Sequence, residues 1–141
     1  METKIRTKIT VQTRIHAPLV KVWKCWISPE DIVKWNHASP DWHTTKAEND
    51  LSDGGKFSYR MEARDGSAGF DFWGIYDRVI LNEQIRFTLG DGRKVEVRFI
   101  ADGNETEVVE TFEAEDVNSI ELQRGGWQAI LNNFKTYTET K

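Results

Sequence analysis

Two residues of this 141-residue chain are the best candidates for acid–base chemistry, because each lies on the less charged face of a predicted strand. Glu110 shares strand parity with Val108 and Phe112, which places a carboxyl group on an apolar strand face. His43 lies on the less charged side of its own strand, so we expect it to face the same interior near its edge. Such groups can anchor the polar part of a ligand or act as general acid and base.

The chemistry of Glu110 depends on whether a cation lies beside it. Burial of a carboxylate raises its pKa, whereas a nearby cation lowers it. Arg124, in the C-terminal segment, offers such a cation. Our prediction is that Glu110 and Arg124 pair and orient that segment, with a lowered pKa for Glu110. The alternative is a catalytic carboxyl group with a raised pKa.

Other residues capable of chemistry give no recognisable pattern. The spacing of His37, Asp41 and His43 matches no standard zinc motif, so no metal is predicted. The single cysteine, Cys25, excludes an internal disulfide and a cysteine-rich zinc site. The glycine-rich turns at 53–55 and 90–92 lie between strands rather than before a helix, which disfavours phosphate binding. We therefore expect no cofactor.

The composition narrows the classes of partner. A net charge of -4 with dispersed basic residues argues against nucleic acid, and no apolar run is long enough to cross a membrane. The charged, threonine-rich start does not resemble a signal peptide, and one cysteine suits a reducing compartment, so a cytoplasmic location is expected. A homodimer is left open. Six Trp and seven Phe residues favour a site for a small apolar or amphipathic ligand.

The hydrophobic periodicity predicts one strand, two helices, six strands and a long helix. Over residues 5–15, apolar or threonine residues alternate with polar ones, as in a half-buried strand. Apolar residues at helical spacing follow to residue 27, with Pro18 as the first helical residue. Ser28 and Pro29 begin a second, short helix that reaches about Trp35. Between turn signals, strands are predicted over residues 43–51, 56–63, 70–81, 85–89, 95–99 and 106–113.

The last segment, residues 116–141, predicts the only long helix. Apolar residues recur at three- and four-residue steps, and Asn118 with Glu121 could form a capping box. Gly125 and Gly126 interrupt it, each at a cost of about 1 kcal/mol relative to Ala. The longer helix is our prediction, and a helix that starts after the glycines is the alternative. The glycines either allow close approach to a sheet or leave space beside Trp127.

Together these elements predict an α+β fold in a single domain over residues 1–141. Short loops imply an antiparallel sheet of about seven strands, curved around the C-terminal helix. One helix of about 20 residues cannot fill the concave side of such a sheet, so a cavity is expected between them. Its predicted lining residues share inward parity or flank the adjacent loop, and they are Trp35, Phe57, Tyr59, Phe72, Tyr76 and Trp127.

Six sequence segments, in this order, resemble one known family. They are I-H-A-P-x-x-x-V-W-x-x-W (15–26), S-P-E-D-I-x-x-W (28–35), D-G-G-x-F (53–57), F-x-G (72–74), T-E-V-V-E-T-F (106–112) and G-W-x-x-I-L-x-x-F (126–134). They resemble the START-like, helix-grip superfamily, also called SRPBCC. More narrowly, they are similar to the domain named after the activator of the heat-shock-protein-90 ATPase.

The resemblance implies the helix-grip fold and three classes of function. Members include ligand carriers, cyclases and chaperone partners. We favour binding of a small hydrophobic or amphipathic ligand between sheet and helix. The alternatives are a cyclase or hydrolase that uses Glu110 and His43 on a polyketide-like or aromatic substrate, and a chaperone-linked interaction domain of the stress response.

Overall fold

Within residues 6–141, which the computed structural model describes, the chain forms seven strands and three helices. The strands are β1 Lys8–Ile15, β2 Trp42–Asn49, β3 Lys56–Ala63, β4 Gly69–Ile80, β5 Gln84–Leu89, β6 Lys94–Asp102 and β7 Glu105–Glu113. The helices are α1 Leu19–Ile27 and α2 Pro29–Trp35, which follow β1, and α3 Ile120–Thr140, which follows β7.

All seven strands belong to one antiparallel sheet in the order β1-β7-β6-β5-β4-β3-β2. Strands β2 to β7 pair with their neighbours in sequence through short turns, where Gly92 (φ 90) and Gly103 (φ 63) adopt left-handed backbone. β1 pairs with β7 at the far edge. The sheet curls around α3 as a half-barrel, so the predicted α+β helix-grip class and element order are confirmed.

The element boundaries agree closely with the predicted ones, and the helix starts differ in detail. Pro18 is the N-cap of α1 rather than its first residue. The N-cap of α3 is Ser119, whose Oγ accepts a hydrogen bond from the Leu122 backbone N–H at 3.1 Å. The predicted capping box between Asn118 and Glu121 is therefore wrong by one residue. The predicted strand start at residue 5 lies outside the described residues.

The packing of α3 explains why it forms despite two central glycines. Leu131 and Phe134 are fully buried, and the Trp127 ring stacks on Phe112 of β7 at 3.9 Å. This burial offsets the intrinsic cost of the glycines. A β-carbon added at Gly125 or at Gly126 would meet nothing within 4 Å. The longer helix is confirmed, and the glycines leave open space rather than allowing a close approach.

Both ends of α3 are held by polar contacts. The Gln123 side chain donates to the backbone carbonyls of Asn118 and Glu115, and it accepts a hydrogen bond from the Glu115 N–H. At the other end, the buried carboxylate of Asp31 on α2 accepts hydrogen bonds from the Tyr137 hydroxyl and the Lys141 ammonium, each at 2.5 Å. The helix therefore keeps its position while its N-terminal half spans an unfilled space.

Candidate functional site

A cavity of about 340 Å³ separates the concave face of the sheet from the N-terminal half of α3. Its wall is mostly aromatic and aliphatic, formed by Trp26, Trp35, Phe57, Tyr59, Met61, Phe70, Phe72, Tyr76, Phe87, Leu122, Trp127 and Ile130. Gly126 on α3 also lines it. The volume lies within the range of small-molecule sites, about 300–1,000 Å³.

The alternation of side chains along the strands determines which residues form the aromatic wall. Every second residue of β3 and of β4 points to the concave face, so Phe57 and Tyr59 meet Phe72 and Tyr76 across the pair. The Phe57 ring centroid lies 5.1 Å from that of Tyr59 and 5.2 Å from that of Tyr76. Trp127 closes the opposite side, with its ring centroid 6.2 Å from that of Phe72. These rings offer broad apolar faces to a ligand.

Glu110 is the buried acidic group of this cavity. Its side chain faces inward from β7, where it lies opposite Val11 on β1 and Val97 on β6, and only 7% of the residue is exposed. Within residues 6–141, no hydrogen bond or ion pair to its carboxyl group is formed. Burial alone raises the pKa of Glu110 from its ordinary value of 4.5 to about 8.

Two tyrosine phenols lie side by side near Glu110. The Tyr76 hydroxyl donates to Oδ1 of Asn49 at 2.6 Å, and the Tyr59 phenol neighbours that of Tyr76. Burial raises the pKa of both phenols, and the nearby Glu110 carboxyl raises that of Tyr59 further. The Tyr76 hydroxyl hydrogen is therefore donated to Asn49, whereas the Glu110 carboxyl group has no partner among residues 6–141.

Polar side chains at the ends of the cavity already have partners. Asn36 exchanges hydrogen bonds with Thr44. Arg93 pairs with Asp91 at 2.7 Å and donates to a backbone carbonyl. The Glu115 carboxylate accepts from the backbone N–H of residue 118 at 2.6 Å. These side chains form the rim of the cavity, and most of their hydrogen-bonding groups already have partners.

The structure brings seven of the nine sequence-selected site residues to the cavity wall: Trp35, Phe57, Tyr59, Phe72, Tyr76, Glu110 and Trp127. Trp35 also donates its indole N–H to the Cys25 carbonyl at 3.0 Å, which fixes its ring. His43 and Arg124 do not line the cavity.

His43 lies outside the cavity because β2 contains a bulge. The pairing of β2 with β3 shifts register between Thr44 and Lys46, so the strand parity changes there. Thr44 is consequently buried, while Ala47 continues the inward face after the bulge. The sequence-based assignment of His43 extended the alternation of strand faces through that bulge, so the predicted inward orientation of His43 is wrong.

The predicted ion pair between Glu110 and Arg124 is wrong. Arg124 is exposed on α3 and does not reach the cavity. No cation of residues 6–141 contributes to the pKa of Glu110, which is raised rather than lowered. The orientation of α3 depends on Gln123 and Asp31 instead. The raised pKa is the one expected for the catalytic alternative, but His43, its assigned partner, lies elsewhere.

Sequence reasoning missed several wall residues that the same periodicity could have found. Met61 follows Phe57 and Tyr59 at the strand period of two, and Phe70 precedes Phe72 in the same way. Ile130 lies three residues after Trp127, on the same helix face. No comparable pattern marks Arg93 and Glu115, which enter the rim from turns.

Two further observations concern other classes of site. In the part of the chain that the structure describes, no group of three or more His, Cys, Asp or Glu side chains is arranged to hold a metal ion. Over the same residues, no helix combines the length and apolar character needed to cross a membrane.

The curled sheet, the long C-terminal helix and the cavity between them define a helix-grip protein of the SRPBCC type. A family profile described as "Activator of Hsp90 ATPase homolog 1-like protein" matches residues 16–139. The chain belongs to this family, whose fold commonly binds hydrophobic ligands. A comparison with curated proteins gave no match.

Solved structures of related proteins agree with this assignment. An AHSA1-like protein from Aeromonas hydrophila is 45% identical over 95% of this chain and 93% of its own, with a TM-score of 0.90. Chr148 from Cytophaga hutchinsonii is 53% identical over 94% of this chain and 92% of its own, with a TM-score of 0.82. NE0264 from Nitrosomonas europaea, 16% identical over 94% of each chain with a TM-score of 0.80, shares the fold alone.

Proposed function

We propose that this protein binds one small hydrophobic or amphipathic molecule in the cavity between the sheet and α3. The observation that carries the proposal is an aromatic-walled space of about 340 Å³ with one buried carboxyl group that has no partner within residues 6–141. The side chains that line an unfilled space lose packing contacts, and the buried carboxyl group loses its hydration. A ligand that fills the space and bonds Glu110 recovers both.

The geometry favours binding over the two alternative functions. The proposed acid–base pair is separated, because His43 lies outside the cavity that contains Glu110. An interaction domain instead requires a continuous exposed apolar patch of more than a few hundred Å². The large apolar residues that are most exposed, Val20, Leu81 and Val117, lie in separate elements or loops. A ligand in the cavity accounts for both the aromatic-walled space and the buried carboxyl group, which neither alternative function explains.

The first test fills the cavity from the helix side. N-phenylnaphthylamine, an uncharged probe whose fluorescence rises in apolar sites, should bind one-to-one and quench tryptophan emission. In Gly126→Leu, the new side chain enters the open space beside Trp127, so we expect probe affinity to fall about tenfold or more. The fold should persist, because replacing a helical glycine raises helix propensity by up to about 1 kcal/mol.

Gly125→Leu is the matched control. A side chain at Gly125 also meets open space, but this residue is exposed and does not line the cavity. It should gain the same helix propensity and leave probe affinity within about twofold. Equal probe affinity in wild type and Gly126→Leu would move the binding site elsewhere and refute the proposal.

A further inference from the structure

We propose that the ligand carries an ammonium group, and that this group binds the Glu110 carboxylate while its apolar part lies among the aromatic rings. This inference rests on the proposed function and specifies the chemical class of the ligand. It excludes anionic ligands, such as fatty acids, as the preferred occupants. An aryl-alkyl amine is the simplest molecule that satisfies both requirements.

Glu110 lies at the wall of the cavity. The residue is more than nine-tenths buried and its side chain borders the cavity. Its opposite neighbours, Val11 on β1 and Val97 on β6, are apolar and nearly fully buried. Among the described residues, the carboxyl group therefore meets the cavity rather than a protein partner. Ionisation of Glu110 without a partner is costly, and a ligand cation would compensate that cost.

The other charged groups of the cavity wall already have partners. Among the residues that the structure describes, Arg93 is the one cationic residue of the wall, and it is held by Asp91 at 2.7 Å. It contributes nothing to the pKa of Glu110. Glu115, the second acidic residue of the wall, is bonded to a backbone N–H. Glu110 is thus the one lining carboxyl group without a bonding partner in the described chain.

The aromatic wall of the cavity is suited to a cation. The rings of Tyr59, Phe72 and Trp127 line the same space. The faces of aromatic rings attract cations, and the attraction grows when water is excluded. An aromatic wall with one carboxylate therefore suits an organic ammonium better than a carboxylate or phosphate. The ammonium donates its hydrogens to Glu110, and the apolar part fills the remaining volume.

The proton balance of binding follows from this arrangement. With a pKa of about 8, Glu110 is mostly protonated at pH 7 in the free protein. The amine arrives already protonated, and Glu110 must ionise to pair with it. Its proton passes to the buffer, so binding should release about 0.9 proton at pH 7. A neutral ligand leaves Glu110 protonated and releases almost none.

The test compares three ligands that share one ring system and differ in charge. Tryptamine is cationic, tryptophol is neutral and indolepropionate is anionic. Calorimetric titrations at pH 7, in two buffers of different ionisation enthalpy, give the affinity and the number of protons released. We expect tryptamine to bind at least about tenfold more tightly than tryptophol, with indolepropionate the weakest. The proton release should be confined to tryptamine.

The isosteric variant Glu110→Gln separates charge from shape. It should lose about 30-fold or more in tryptamine affinity, the usual cost of removing one partner of a buried charge pair. It should also abolish proton release and leave tryptophol binding within about threefold. The proton count in the wild-type protein is an independent readout if this variant folds poorly.

The outcomes separate this inference from the proposed function. Preference for tryptophol or indolepropionate, or tryptamine binding without proton release, would overturn the ammonium assignment and leave a cavity that binds apolar ligands. Failure of all three ligands and of N-phenylnaphthylamine to bind would overturn both.

Discussion

The free energy of unfolding of Glu110→Gln relative to that of wild type should be several kcal/mol larger above pH 8 than at pH 4. The folded-state pKa of Glu110 is about 8, and its ordinary value is 4.5. Below pH 4.5 both states bind the proton, and between the two values only the folded state does. Wild-type stability therefore falls as pH rises through this window, by roughly 5 kcal/mol for a difference of 3.5 units. Glutamine does not ionise, so the variant lacks this loss.

Urea unfolding of both proteins from pH 4 to pH 9 measures this difference directly. Titration of the other groups cancels when the variant is compared with wild type. Glu107→Gln, on the same strand but with its side chain toward Arg14 on the outer face, controls for the loss of a carboxylate. A stability difference for Glu110→Gln that stays constant with pH, or that grows in favour of wild type, would show that Glu110 is paired or hydrated.

Leu131→Ala should destabilise the protein by about 2–5 kcal/mol, the range for truncation of a fully buried leucine. Leu131 is 1% exposed and lies on the face of α3 that contacts the sheet. Its loss removes contacts in the half of the helix that closes the core, whereas the cavity lies beside the other half. Denaturant unfolding at constant pH gives the change in free energy.

Leu122→Ala on the same helix is the control. Leu122 is 63% exposed at the rim of the cavity, so its truncation should cost less than about 0.5 kcal/mol. Similar costs at the two positions would mean that α3 does not pack on the sheet as described here.

The sequence predicted the fold well because its strands and helices follow regular periods. Strand alternation in β3 and β7 and the three- and four-residue steps of α3 specify which face is buried, and short turns leave antiparallel pairing as the simple solution. The same periods placed Phe57, Tyr59 and Trp127 correctly on the concave face. Local pattern was sufficient where each element stayed regular.

Prediction failed where local pattern does not control geometry. The bulge near Thr45 reverses the strand face that the sequence assigned to His43, and the residues of β2 contain no pattern that predicts a bulge. The direction of Arg124 depended on the rotation of α3 about its axis, which Gln123 and Asp31 fix through contacts distant in sequence. Whether packed side chains close the space beside Gly126 also depends on the whole core rather than on the helix sequence.

The most direct test of the ligand cavity is an NMR titration with N-phenylnaphthylamine that follows three side chains. Trp127, followed by its indole N–H signal, and Met61, followed by its methyl signal, line the cavity, whereas Trp73 is 40% exposed and does not line it. We expect the Trp127 and Met61 signals to shift together and to saturate at one equivalent, with Trp73 unchanged. Shifts at Trp73 without shifts at Trp127 and Met61 would place binding on the outer surface and contradict the proposed function.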